Sequence, residues 1–212
     1  MVTPGISKSQ VNKLKNLYFK KGKSTLDLAR YFDVSIDAIT YAMRKYNIPR
    51  RSFKEASKRS FENKKMTFKR KNLQGSRKII AETVLAMLYW GEGFKGNENS
   101  KMSSVDFANS DPKMISIFMK AFRDVYDFDD RKLRAYIYCY SNQDVTGLIN
   151  FWSKLTKIPK AQFTKPYIRD DSRINARVMK YGLVHIRYHD MKLLINIKNL
   201  IDYVCRKYAS VG

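Results

Sequence analysis

The stretch Leu85-Ala86-Met87-Leu88-Tyr89-Trp90-Gly91-Glu92-Gly93 stays apolar for six positions and then breaks into glycine, acid, glycine. Together with the residues before it, this predicts a helix over 79–90, ended by Gly91-Glu92-Gly93. The chain then changes period. Lys101 to Asn109 alternates as a strand does, with Val105 and Phe107 on one face. Asp111-Pro112 opens a helix reaching about Tyr126, because proline suits a first helical position. Arg131 to Tyr140 alternates again, Leu133, Ala135, Ile137 and Cys139 against Arg134, Tyr136, Tyr138 and Tyr140. Asp144 to Leu155 reads as a helix, Phe163 to Arg169 and Tyr181 to His189 as strands, and Asp190 to about Lys207 as a last helix. Residues 79–212 are therefore expected to form an α+β domain with helices on one face of an antiparallel sheet.

Upstream, residues 1–49 have the texture of short helices. Val11, Leu14, Leu17 and Tyr18 recur at helical spacing, and Gly22 ends that run. Ser24 is placed as an N-cap, with Asp27 where a capping box would put Glu or Gln. Leu26, Leu28, Ala29 and Phe32 follow, then a turn at Asp33-Val34-Ser35 and a third helix carrying Ile36, Ile39 and Met43. A small residue is needed where two such helices cross, and Ala29 supplies it. With Ile39 and Met43 inward, Ser35, Asp37, Thr40, Tyr41, Arg44 and Lys45 are left on the outer face of the helix that would enter a major groove. Ser24 to Ile48 resembles the small helix-turn-helix modules of resolvases and phage regulators. A plain three-helix bundle with a solvated face is the alternative.

Residues 50–78 carry twelve basic side chains against two acids, Glu55 and Glu62. This stretch reads as a connector whose Arg50, Arg51 and following lysines track phosphates, or as a solvated amphipathic helix. The whole chain agrees: 42 Lys and Arg face 19 Asp and Glu, for a net charge of +23 and a pI near 10.0. Such self-repulsion points to a polyanionic partner.

Other classes recede. No apolar run approaches the ~20 residues of a membrane span, and Met1 to Gly5 lacks the basic-then-apolar order of a signal peptide. Two cysteines, Cys139 and Cys205, fit a reducing cytoplasm rather than a disulfide framework. His185 and His189, spaced four apart on one expected strand, have no close cysteine pair to complete a zinc site. Neither a phosphate-binding loop nor a dinucleotide-binding glycine pattern is present, so no small-molecule cofactor and no membrane partner are expected.

The segment 85–93 is similar in register to the motif of the LAGLIDADG homing endonucleases. Leu85, Ala86 and Leu88 take its apolar positions, Gly91 the small position, Glu92 the acid and Gly93 the closing glycine. Asn109-Ser110-Asp111-Pro112, Phe151-Trp152 and Ile158-Pro159 also look like single-motif members. The resemblance spans residue 79 to about 200. It implies a saddle-shaped sheet on the major groove and two motif helices packed side by side at an interface of Leu85, Ala86, Leu88 and Tyr89. It further implies Mg2+ or another divalent cation held by Glu92 with the Gly91 carbonyl. Lys95, three residues after Glu92, is expected as a basic group near the reacting phosphate. Strand alternation adds Arg134, Tyr136, Tyr138, Lys165, Arg169 and Arg187 as expected DNA contacts, with Lys101 near the motif. Met87, Tyr89 and Trp90 depart from the pattern by being bulky. Val145 to Ser153 imitates the motif's first half but has Trp152 at the acidic position, which leaves one usable acid per chain. Cleavage of double-stranded DNA then requires a homodimer. The resemblance also admits a non-catalytic DNA-binding regulator on the same scaffold, or an intron maturase holding structured RNA.

Overall fold

The computed structural model describes residues 5–95, 104–170 and 179–209. The chain divides into two compact units, residues 1–65 and 66–212.

The first unit is helical. A 3-10 turn at Lys8–Gln10 leads into α1 (Val11–Lys15), which widens into a π turn at Asn16–Lys20 and stops at Gly22, whose φ is +69°. Helix α2 (Thr25–Phe32) begins at Ser24, whose hydroxyl accepts from the Asp27 N–H while the Asp27 carboxylate accepts from the Ser24 N–H. That reciprocal pair satisfies two of the donors a helix start leaves open. Asp33 adopts a left-handed conformation (φ 52°), and Ser35 caps α3 (Ile36–Lys45). Leu14, Leu28, Ile39 and Met43 are fully enclosed, and Ala29 and Ala42 are buried with them. α4 (Phe53–Asn63) completes the unit under its own Ser52 and Glu55 capping box.

The stretch expected as a connector is thus divided between the two units. Its first part is a capped helix, and its last part belongs to the second unit as strand β1 (Phe68–Arg70).

In the second unit β1 pairs antiparallel with β3 (Tyr126–Phe128). Helix α5 (Gly75–Glu92) carries the motif and is followed by β2 (Val105–Asn109) and α6 (Pro112–Val125). Then come β4 (Leu133–Tyr140), α7 (Val145–Thr156), β5 (Tyr167–Arg169), β6 (Leu183–Tyr188) and α8 (Met191–Ala209). The main sheet has the order β2-β6-β4-β5. Its first three strands are antiparallel, whereas β5 runs parallel to β4. That parallel edge departs from the all-antiparallel expectation, and β5 is shorter than the predicted strand because Phe163 makes only an isolated bridge to Ala135. Strand β6 ends at Tyr188, so His189 lies beyond it and does not share its face with His185.

Strand alternation sorts the sheet into two faces. Leu133, Ala135, Ile137 and Cys139 of β4, Val184, Ile186 and Tyr188 of β6, and Val105 and Phe107 of β2 are buried in one core with residues of α5 to α8. Phe118 of α6 stacks on Phe107 at 3.9 Å between ring centroids, and Phe122 continues the stack at 5.5 Å. Each such buried ring stabilises the unit by about 1.5–3 kcal/mol. The unit is mixed α and β, with its other sheet face outside the core.

Candidate nucleic-acid interface

The second face of the sheet carries polar, charged and aromatic side chains. Register places Asp106 opposite Arg187, Ala108 and Tyr136 opposite His185, Arg134 opposite Arg187, Tyr138 opposite Leu183 and Tyr167, and Tyr140 opposite Arg169. Four of the expected contacts, Arg134, Tyr136, Tyr138 and Arg187, therefore lie on one surface, with Arg169 on its β5 edge.

Two aromatic steps pave that surface. Tyr138 stacks on Tyr167 at 4.7 Å, and Tyr136 stacks on His185 at 4.2 Å with 16° between the planes. The Arg187 guanidinium lies 4.4 Å from the centre of the Tyr136 ring, and its Nη2 donates to the Tyr136 hydroxyl at 3.2 Å. Beneath them is Asp106. Its Oδ1 is 2.9 Å from His185 Nδ1, and its Oδ2 accepts from Arg187 Nε at 2.5 Å. Burial opposes ionisation of this carboxyl. The hydrogen bonds from His185 and Arg187, with the positive charge of Arg187, outweigh that and hold it below the usual carboxylate range. Burial pushes the Tyr136 phenol up, so it stays a neutral donor and acceptor.

Arg134 and Arg187 face each other directly across β4 and β6. Like charges at such positions repel. Asp106 balances one of them, and Arg134 Nη1 donates to the carbonyls of Arg131 and Leu133.

Helix α5 ends beside this face. Gly93 bridges to Phe107, and the Phe94 N–H donates to the Asp106 carbonyl. The Tyr89 hydroxyl, inside the core, donates to the Phe94 carbonyl and accepts from the Asp106 N–H. Glu92 is exposed at that helix end, with Gly91 and Lys95 also at the surface. A helix C-terminus presents open carbonyls and a partial negative charge, so a carboxylate beside it attracts a cation. Glu92 and the Gly91 carbonyl are hard oxygen donors of the type Mg2+ takes, and Mg2+ needs only one or two carboxylates when waters and phosphate oxygens fill the rest. Among the described residues no group of three or more His, Cys, Asp or Glu could hold a metal ion.

The expected pairing interface has to be corrected. Leu85, Ala86 and Tyr89 are fully enclosed in the chain's own core, and Leu88 packs against it. Leu85, Ala86 and Tyr89 cannot meet a partner without opening that core, whereas Leu88 is half-buried. The outward face of α5 is instead Ile80, Val84, Met87 and Gly91, which fall at 80, 84, 87 and 91, one side of a 3.6-residue helix. Ile80 is 63% exposed and Trp90 50%, and Ile117 of α6 adds 51% beside Val84 in a shallow groove.

In the first unit Tyr41 is 65% exposed and Asp37, Arg44 and Lys45 are on the surface with it, while Thr40 is half-buried and Ser35 serves as the α3 cap. Arg50 is exposed. Arg51 is held inside the unit: its guanidinium lies 3.9 Å over the Tyr18 ring and donates to the Tyr18 and Lys23 carbonyls, and its N–H donates to the Tyr18 hydroxyl. Lys165 is exposed just before β5, and Lys101 lies outside the described residues. Sequence reasoning missed Asp106 and Tyr167. An acid on the non-core face of β2, between Val105 and Phe107, was the available signal.

No protein-family model matches the chain, and no curated protein or solved structure matches it.

Proposed function

We propose that this protein is a site-specific, metal-dependent DNA endonuclease of the LAGLIDADG homing type that acts as a homodimer. The observation that carries the reading is the open sheet face of Arg134, Tyr136, Tyr138, His185 and Arg187, bordered by the α5 end that exposes Glu92. Three further points support it: the +23 charge, the helix-turn-helix layout of α2 and α3, and the exposed apolar face of α5.

On this reading the sheet face lies on the duplex, with its basic groups on phosphates and its planar groups toward base edges. Glu92 and the Gly91 carbonyl hold the divalent cation, which when bound supplies charge stabilisation at the scissile phosphate. Lys95 adds positive charge to the same phosphate. The second copy docks on Ile80, Val84, Met87 and Gly91, and brings the second Glu92. The first unit lengthens the footprint through Tyr41, Arg44 and Lys45.

The test uses DNA recovered by the protein from a random library in Ca2+, then incubated in Mg2+ with wild type and with Glu92→Gln. Staggered double-strand cuts by wild type alone are expected. Tight binding by both with intact DNA would sink the enzyme reading and leave a DNA-binding regulator.

A further inference from the structure

One carboxylate on the sheet face orients two different polar groups. Asp106 has 5% of its side chain exposed, yet it lies on the side of the sheet away from the core, where an acid would be expected to reach solvent. Both of its oxygens are engaged, one by His185 and one by Arg187. The two ligands of this carboxylate alternate along β6 on the same face, and both rest on Tyr136 from the neighbouring strand.

Each contact leaves a defined pattern outward. Arg187 gives Nε to Asp106 and one Nη2 hydrogen to Tyr136, and its plane is fixed over the Tyr136 ring. Three Nη hydrogens remain, two on Nη1 and one on Nη2, and one from each nitrogen make a donor pair of fixed spacing. His185 turns Nδ1 to the Asp106 carboxylate. An ionised carboxylate only accepts, so Nδ1 carries the hydrogen and Nε2 of the neutral ring is an acceptor. The result is two donors beside one acceptor, held by a buried anchor rather than by mobile surface side chains.

From this we infer that Arg187 and His185 form a base-reading subsite for a guanine in the major groove. The inference rests on the nucleic-acid reading of the sheet face and deepens it. A G·C pair presents two acceptors on guanine, N7 and O6, and an amine donor on cytosine. Arg187 matches the guanine edge bidentately, and His185 Nε2 accepts from the exocyclic amine of the paired cytosine. Asp106 is a positioning residue. It touches no base, and it fixes the arginine fork and the imidazole tautomer. Arg134, directly across from Arg187, adds a second positive charge that the nearby phosphates offset.

The experiment is selection from a randomised duplex library in Ca2+, with the full chain as wild type, Arg187→Lys, His185→Gln and Asp106→Asn. Wild type is expected to select guanine at one position in each half-site. Arg187→Lys keeps the charge and loses the fork. It should therefore lose preference at that position alone, with a roughly 5- to 150-fold drop on the preferred site and little change on random duplex. Asp106→Asn should blur the same position while the rest of the selected sequence persists, and His185→Gln should weaken the preference for G·C over A·T at that pair. If Arg187→Lys leaves every base preference intact, or weakens all sequences equally, the subsite is overturned while DNA binding by the face stands. If wild type retains no duplex, the interface reading and the subsite fall together. Melting curves identify a misfolded Asp106→Asn, in which case Arg187→Lys, altered only at the open face, decides alone.

Discussion

A Cβ on Gly93 would stand 2.5 Å from the Tyr89 carbonyl oxygen and 2.6 Å from two carbons of its ring. The helix carrying the motif closes on itself at that point, because the Gly93 N–H donates to the same carbonyl at 2.9 Å. The closing glycine is thus a matter of space, since its φ of −78° is open to any residue. Gly93→Ala is expected to cost about 1–3 kcal/mol through overpacking and to shift Glu92. Gly91→Ala meets nothing within 4 Å. It should stabilise α5 by about 0.5–1 kcal/mol, since alanine loses less backbone freedom in a helix. Urea midpoints of the two variants, moving in opposite directions, check the pair.

The two sides of α5 make a second contrast. Leu85→Ala, in the core, should destabilise the unit by about 2–5 kcal/mol. Met87→Glu, on the outward face, should leave the melting temperature near that of wild type and abolish pairing on DNA. Mass measured with and without a palindromic duplex separates them. A monomer–dimer balance that Met87→Glu does not change would remove that face from the proposal.

Asp106 gives the second unit a distinct acid response. Its carboxyl ionises at lower pH folded than unfolded, so the folded state binds fewer protons in that window. The stability this contributes is complete above the unfolded range near pH 4 and disappears as pH falls through the folded value. Wild type should therefore lose stability steeply below about pH 4. Asp106→Asn should be weaker at neutral pH and show a shallower decline. Chemical unfolding from pH 6 to pH 2 gives both slopes, and parallel curves would mean that the ion pair does not report on folding.

Arg50 and Arg51 are adjacent in sequence and differ in surroundings, Arg50 exposed and Arg51 packed over Tyr18. Arg51→Ala removes the guanidinium stacked on Tyr18 and should destabilise the first unit, while the salt dependence of DNA binding per folded molecule stays unchanged. Arg50→Ala should leave melting unaltered and lower the salt slope by about one phosphate contact. Binding titrations across a salt series distinguish them.

Much of this could be read before any coordinates. The Ser24 capping box, the turn at Asp33-Val34-Ser35 and the burial of Ala29, Ile39 and Met43 follow from local rules that act over a few residues. The alternation of β4 announced both its faces. Other features depend on partners far away in sequence. Asp106 and His185 are 79 positions apart, and only strand register brings them together. β1 is three residues long and takes its identity from β3. For α4 the sequence left a phosphate-tracking connector and a solvated amphipathic helix both open, because Phe53 is 90% exposed and no residue of the helix is buried, so its apolar spacing carried no core signal. The outward face of α5 was misassigned for a different reason. A helix that is apolar nearly all round gives no period from which to choose its inner side, and only packing reveals that Leu85 and Tyr89 are already occupied.

That double-sided helix ties solubility to assembly. Two copies of a chain bearing +23 repel one another over a screening length of about 8–10 Å in ordinary salt, which opposes the meeting of their uncovered Ile80 and Met87. A duplex, with one negative charge per ~1.7 Å of its axis, removes that opposition. On the proposed reading the nucleic acid therefore comes first and the partner second. Such an order confines the cleavage-competent pair to places where two half-sites lie side by side, and leaves the solitary chain harmless to the rest of the genome.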